Sequence, residues 1–182
     1  PSYAPAWVGL AVAYALLSLY GTSMPKEAFP RSKAAALTAL RLDPALAPAH
    51  NALGVVALFY EWDWSGAEQA FHRAIGLDPA FGDAYQRYAL YLTAQQRFPE
   101  AVAALERAQM LDPLSRIIAT FVGYPAYYSG DYDGAIRQFL QVLQIDPNFS
   151  MAHFRLGLAY AHQGRYTDAL AELAAAKALS ND

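Results

Sequence analysis

The chain has 182 residues, 55% of them hydrophobic and 16% charged, which excludes intrinsic disorder and leaves enough apolar material for one domain or one short repeat array. A formal net charge of −3 offers no electrostatic footprint for nucleic acid. With no cysteine, disulfide scaffolds, thiolate metal sites and cysteine nucleophiles are excluded, and the compartment stays open between the cytoplasm, the favoured reading, and the periplasm.

The first predicted element is a helix in the uncharged stretch before Lys26, where Trp7, Leu10, Ala11 and Tyr14 fit the pattern of a first helix. The run from Ala6 to Tyr20 is too short for a membrane span of roughly 20 apolar residues, because Gly21, Thr22 and Ser23 interrupt it. No basic residue precedes it as a signal peptide requires, so no membrane insertion is expected. A loop at Gly21 to Ser23 and a lengthened second helix follow, with Pro25 near its start and Pro30 kinking or delaying it.

From there the chain repeats. The tripeptide Leu-Asp-Pro ends at Pro44, Pro79 and Pro113, and Ile-Asp-Pro ends at Pro147, at spacings of 35, 34 and 34 residues. Each proline closes a period, because it lacks an N–H and pushes the preceding Asp out of helical geometry. Each period contains two predicted helices. The first carries a large residue beside a small one: Leu53-Gly54, Tyr88-Ala89, Val122-Gly123 and Leu156-Gly157. The second keeps small and large residues at spacings of four and three: Ala67/Phe71/Ala74, Ala101/Leu105/Ala108, Ala135/Phe139/Val142 and Ala169/Leu173/Ala176. Those spacings hold three side chains on one helical face, where alanine admits a close neighbour.

This period, with its large-small pair, its Ala/aromatic/Ala face and its closing proline, resembles the tetratricopeptide repeat (TPR). The resemblance implies an all-α solenoid of five helix-turn-helix repeats in a right-handed superhelix, over residues 1–44 with an insertion, 45–79, 80–113, 114–147 and 148–182. It also implies a peptide- or protein-binding groove lined by the first helices, with no active site and no cofactor. Arrays of this kind are similar to those of bacterial multidomain signalling proteins, so the chain is expected to be a scaffold piece of a larger protein. The alternative is a sensor that binds a small molecule or lipid in an aromatic groove. Uncapped terminal repeats would favour end-to-end homodimers.

Helical projection nominates Asn51 and Phe59, then Gln86 and Arg87, then Tyr124, Tyr127 and Tyr128, then Phe154 and Arg155 as groove-facing partner-binding residues. A terminal-carboxylate clamp is disfavoured, because no lysine lies on these faces. Pro125 is expected to kink the fourth first helix and turn its tyrosines outward.

The stretch Glu61-Trp62-Asp63-Trp64 holds two carboxylates and two tryptophans. Its place in the period makes Asp63 the N-cap of a second helix and Trp64 an inter-helix packing aromatic. Trp62 has no counterpart in the other periods. It falls in a turn widened by one residue and is a candidate for exposed recognition. Glu61 and Asp63 lack the fixed separation and the nearby nucleophile that acid/base catalysis needs. The four histidines show no paired zinc-ligand spacing, so no metal is expected.

Overall fold

The structure, a computed structural model, describes residues 3–180, and every regular element among them is helical. The chain divides into two compact units, the first running to Tyr91 and the second starting at Leu92. Among the described residues no helix is long and apolar enough to cross a membrane.

The first unit begins with α1 (Ala4–Leu19) and α2 (Pro25–Leu42), which form an antiparallel hairpin. Pro25 stands in the first turn of α2, where its missing N–H costs nothing, and the helix continues through Pro30. Ala11, Ala35, Ala36 and, from α3 (Ala47–Val56), Ala52 form a buried cluster flanked by Trp7 and Leu53. Small side chains let the three helices approach closely, and the buried Ser32 hydroxyl donates to the Ala11 carbonyl at 2.7 Å to tie α2 to α1. Leu10 and Leu17 of α1 and Tyr20 at its C-terminal end are exposed.

The closing Asp-Pro pairs work locally. Asp43, Asp78 and Asp146 each end a helix in an extended conformation, and each carboxylate accepts from the backbone N–H two residues on, at 2.9, 3.0 and 3.1 Å. Proline forces the aspartate out of the helix, and the aspartate side chain then shapes the turn.

The second helices of the periods are α4 (Trp64–Leu77) in the first unit and α6 (Phe98–Leu111), α9 (Tyr132–Ile145) and α11 (Tyr166–Leu179) in the second. Their expected small-large faces are buried: Ala67, Phe71 and Ala74 are sealed from solvent, as are Ala135 and Phe139. Each phenylalanine ring lies against a glycine of the preceding first-helix segment, Phe71 against Gly54 within α3 and Phe139 against Gly123 at a turn between two helices. Full burial of such a ring stabilises by about 1.5–3 kcal/mol.

Two kinds of turn start these helices. Asp63 and Asp131 each accept from the N–H of the glycine three residues on, Gly66 and Gly134, at 2.9 Å. Arg97 and Arg165 stand at the same place without a side-chain cap and pair instead with Glu100 and Asp168. A Cβ on Gly66 or Gly134 would fall 2.1 Å from the capping carboxylate, so the Asp cap and the glycine go together.

The extra residue of the second period is absorbed in a way that periodicity does not foresee. After α3 the backbone widens into a π-helical turn, Ala57–Glu61, and Trp62 then adopts the left-handed conformation at φ 57 and ψ 25. The Asp63 N–H reaches back six residues to the Ala57 carbonyl at 3.1 Å. A π-turn is the standard way to insert one residue into a helix without breaking it.

The division between the units falls within α5 (Gly82–Ala94), whose first turn carries Asp83. The second unit contains α7 (Arg116–Phe121), α8 (Tyr124–Ser129) and α10 (Ser150–His162) as its first-helix segments. Sequence predicted a kink at Pro125. The structure shows a break: α7 stops at Phe121, Val122 and Gly123 form a turn, and Pro125 sits in the first turn of α8. The break suits proline better than a kink, because in a first turn its absent N–H is no loss.

Candidate functional site

The residues nominated from sequence have different fates. In the first unit Asn51 and Gln86 are buried, at 8% and 2% exposure, and Asn51 Oδ1 and Gln86 Nε2 have no hydrogen-bond partner. Asn51 and Arg87 line a small cleft of about 60 Å³ with Val12, Leu16, Val55 and Phe81. Phe59 rides on the π-turn and is exposed.

Trp62 is 68% exposed, and Trp64 meets it edge-on with ring centroids 6.0 Å apart. Trp64 also leans on Tyr91 at 6.4 Å while staying 36% exposed. The two carboxylates beside them are engaged elsewhere, since Glu61 pairs with Lys33 and Asp63 caps α4. An acid/base pair is therefore not assembled there.

The second unit gathers most of its nominated residues into one patch. Tyr124, Tyr127 and Tyr128 come from α8, and Phe154, Arg155 and His162 come from α10. Tyr124 is buried beneath the others, 4.3 Å from Phe121, with Tyr128 edge-on at 6.1 Å. Tyr127 is half-buried and meets Tyr128, Tyr132 and His162 edge-on at 5.1, 5.8 and 5.4 Å. Tyr132 lies flat on His162 at 4.9 Å and 12°. Edge-to-face and offset-stacked contacts of this kind add to the apolar burial and hold the rings in place. A hydrogen bond of 2.7 Å from the Gln163 amide to Asp133 links the end of α10 to the start of α9.

Arg155 crosses this patch. Its guanidinium sits 4.5 Å from the centre of the Tyr124 ring and 5.5 Å from that of Phe154. Burial pushes the Tyr127 phenol above its ordinary pKa, Tyr128 and Tyr132 add to the rise, and the Arg155 charge opposes it. Tyr127 is thus neutral at physiological pH and can donate or accept a hydrogen bond.

Tyr132 is not among the residues nominated from sequence, and its place three residues before Ala135 gives no sign that it would stack on His162 of the next period. Among the described residues no three His, Asp or Glu side chains converge to hold a metal. What the patch offers chemically is aromatic area, phenolic hydroxyls and one cation.

The sequence matches the tetratricopeptide repeat family over residues 57–115 and 123–182, more than half of the chain. Among solved structures, the chain is similar to a thermophilic TPR protein of Thermus thermophilus, with a TM-score of 0.82 at 18% identity over 99% of this chain and 93% of that one. It is also similar to MamA, with a TM-score of 0.62 at 22% identity over 86% of this chain and 91% of that one. A third is YrrB, described as a TPR protein with an unusual peptide-binding site, with a TM-score of 0.58 at 25% identity over 100% of this chain and 88% of that one. No curated protein sequence matches significantly.

Proposed function

Because the chain belongs to the tetratricopeptide repeat family, whose fold typically serves as a protein-interaction scaffold, we propose that it is a non-catalytic module of a larger protein that holds a peptide segment of a partner. The observation that carries this reading is the patch on α8 and α10. Tyr128 and Phe154 are 54% and 45% exposed on a bed of rings already locked against one another. Tyrosines of this kind combine large contact area with few rotors, which suits binding hot spots. YrrB is itself described by its peptide-binding site, in agreement with this use of the fold. In the first unit, taken by itself, Phe59 is the exposed member of the nominated set Asn51, Phe59, Gln86 and Arg87 and is proposed as a separate contact.

The rival reading, a sensor for a small molecule or lipid, is less well supported. The cleft beside Asn51 holds about 60 Å³, below the roughly 300–1,000 Å³ of a typical ligand pocket, and the larger hollow of about 380 Å³ at Ser18 and residues 21–25 has no aromatic lining.

An array of short unrelated peptides, probed with the wild-type chain and with the Tyr127→Ala/Tyr128→Ala double variant, tests the proposal. Peptides that bind the wild type and are lost by a variant of unchanged helicity support it. Absence of any binder, or binders indifferent to both substitutions, would remove the site. Hydrolase or transferase activity of the purified chain would sink the non-catalytic reading.

A further inference from the structure

We propose that Arg155 recognises an acidic residue within the partner peptide: a glutamate or aspartate carboxylate lies in its guanidinium fork while flanking apolar side chains lie on Tyr127, Tyr128 and Phe154. This rests on the peptide-binding reading and adds the chemistry of the ligand to it.

Arg155 is a partly buried cation with no counter-charge. It makes no ion pair and no hydrogen bond among the described residues, and its Nε is shielded from solvent without an acceptor. Four other charged groups of the second unit are paired: Arg97 with Glu100, Arg116 with Asp146, His153 with Glu172 and Arg165 with Asp168. Drawing a cation out of water without an anion is costly, so folds usually pair such groups. Here the partial compensation comes from the faces of Tyr124 and Phe154.

The position over the ring leaves the terminal nitrogens of the guanidinium available. The terminal nitrogens lack partners yet are not shielded as Nε is, so they face solvent. Tyr124, 4% exposed, is a buried bed beneath the guanidinium. A planar guanidinium whose centre lies 4.5 Å from a buried ring keeps its fork of parallel N–H groups, the arrangement that matches a carboxylate in bidentate fashion.

The occupant is an internal acidic residue rather than a chain terminus. One fork suits one carboxylate, and aromatic area is offered by residues from two helices, Tyr127 and Tyr128 on α8 and Phe154 on α10. An internal residue has neighbours on both sides to cover that area, whereas a C-terminal residue has neighbours on one side only.

The test is a ¹⁵N NMR titration with three probes: acetyl-Phe-Glu-Tyr-Leu-amide, acetyl-Phe-Gln-Tyr-Leu-amide, and acetyl-Phe-Gln-Tyr-Leu with a free C-terminal carboxylate. The internal-Glu peptide should bind about tenfold tighter than its Gln counterpart, as expected for a charge-assisted pair, and should move the Arg155 side-chain N–H resonance. Arg155→Gln should abolish the preference, and Arg155→Lys, which keeps the charge and the packing stem, should retain only part of it. Tyr127→Ala should weaken the Glu and Gln peptides alike. Equal binding of Glu and Gln peptides that still depends on Tyr127 would overturn the carboxylate assignment and leave the peptide-binding reading standing. Selection of the free C-terminus over the internal Glu would overturn the internal placement, and failure of all three peptides would remove both.

Discussion

The ring of Phe139 fills the space beside the α-carbon of Gly123, so closely that a Cβ there would stand 2.5 Å from the ring's Cε1. Phe139 is fully buried and cannot retreat without opening the interface between the first and second helices of its period. Gly123→Ala should therefore cost about 2–3 kcal/mol by overpacking, measured by urea denaturation. Phe139→Leu should recover part of that loss in the double variant, a coupling that a double-mutant cycle would detect. Additive effects would mean that the two residues do not share the space.

His153 is held at both ring nitrogens. Nδ1 lies 2.6 Å from the Glu172 carboxylate and Nε2 lies 2.8 Å from the Pro147 carbonyl, two acceptors that an imidazolium satisfies together. Burial lowers the imidazole pKa, but the Glu172 hydrogen bond, the Pro147 carbonyl and the Glu172 charge outweigh it, and the net shift is upward. A raised folded pKa stabilises the fold fully below the ordinary histidine value and loses that contribution as pH rises through the folded one. The Tm difference between wild type and His153→Gln should thus be larger near about pH 5.5 than near about pH 8.5. A difference that is flat or reversed over that range would show that the pair is not charged.

Asp131 caps α9 through the Gly134 N–H, as Asp63 caps α4 through Gly66. Asp131→Ala should destabilise by about 1 kcal/mol, with Asp131→Ser recovering most of the loss. Thermal unfolding followed by circular dichroism measures both. A null effect would assign the cap's role to solvent.

Trp62 adopts a left-handed backbone that costs a side-chain-bearing residue about 1–2 kcal/mol, while its edge contact with Trp64 returns about 0.5–1.5 kcal/mol. The two nearly cancel, so Trp62→Gly should change stability by less than about 1 kcal/mol. A large loss in chemical denaturation would make Trp62 a structural residue. A neutral result would leave exposed recognition as the reason for a bulky side chain at a glycine-like position.

Local interactions made much of the candidate site legible, though not its depth. Helical projection placed Asn51, Gln86 and Tyr124 on the same face as Phe59 and Tyr128, yet the first three are buried and the last two exposed. A helical projection gives the direction of a side chain, and burial depends on which neighbour stands beyond it. His153 and Glu172 are 19 residues apart and meet only because two helices of the last period pack together.

Sequence alone determined the period, the helix pairs, the closing Asp-Pro turns, the Asp63 cap of α4 and the site of the inserted residue. Each of these depends on groups within a few residues of one another, or on a spacing that recurs down the chain. Only the tertiary structure decided how the insertion is absorbed, by a π-turn and a left-handed Trp62. It also decided that the fourth first helix breaks at Gly123, and that Arg155 lies across Tyr124 from a different period. Those outcomes depend on competition for space among helices distant in sequence, which no local pattern records.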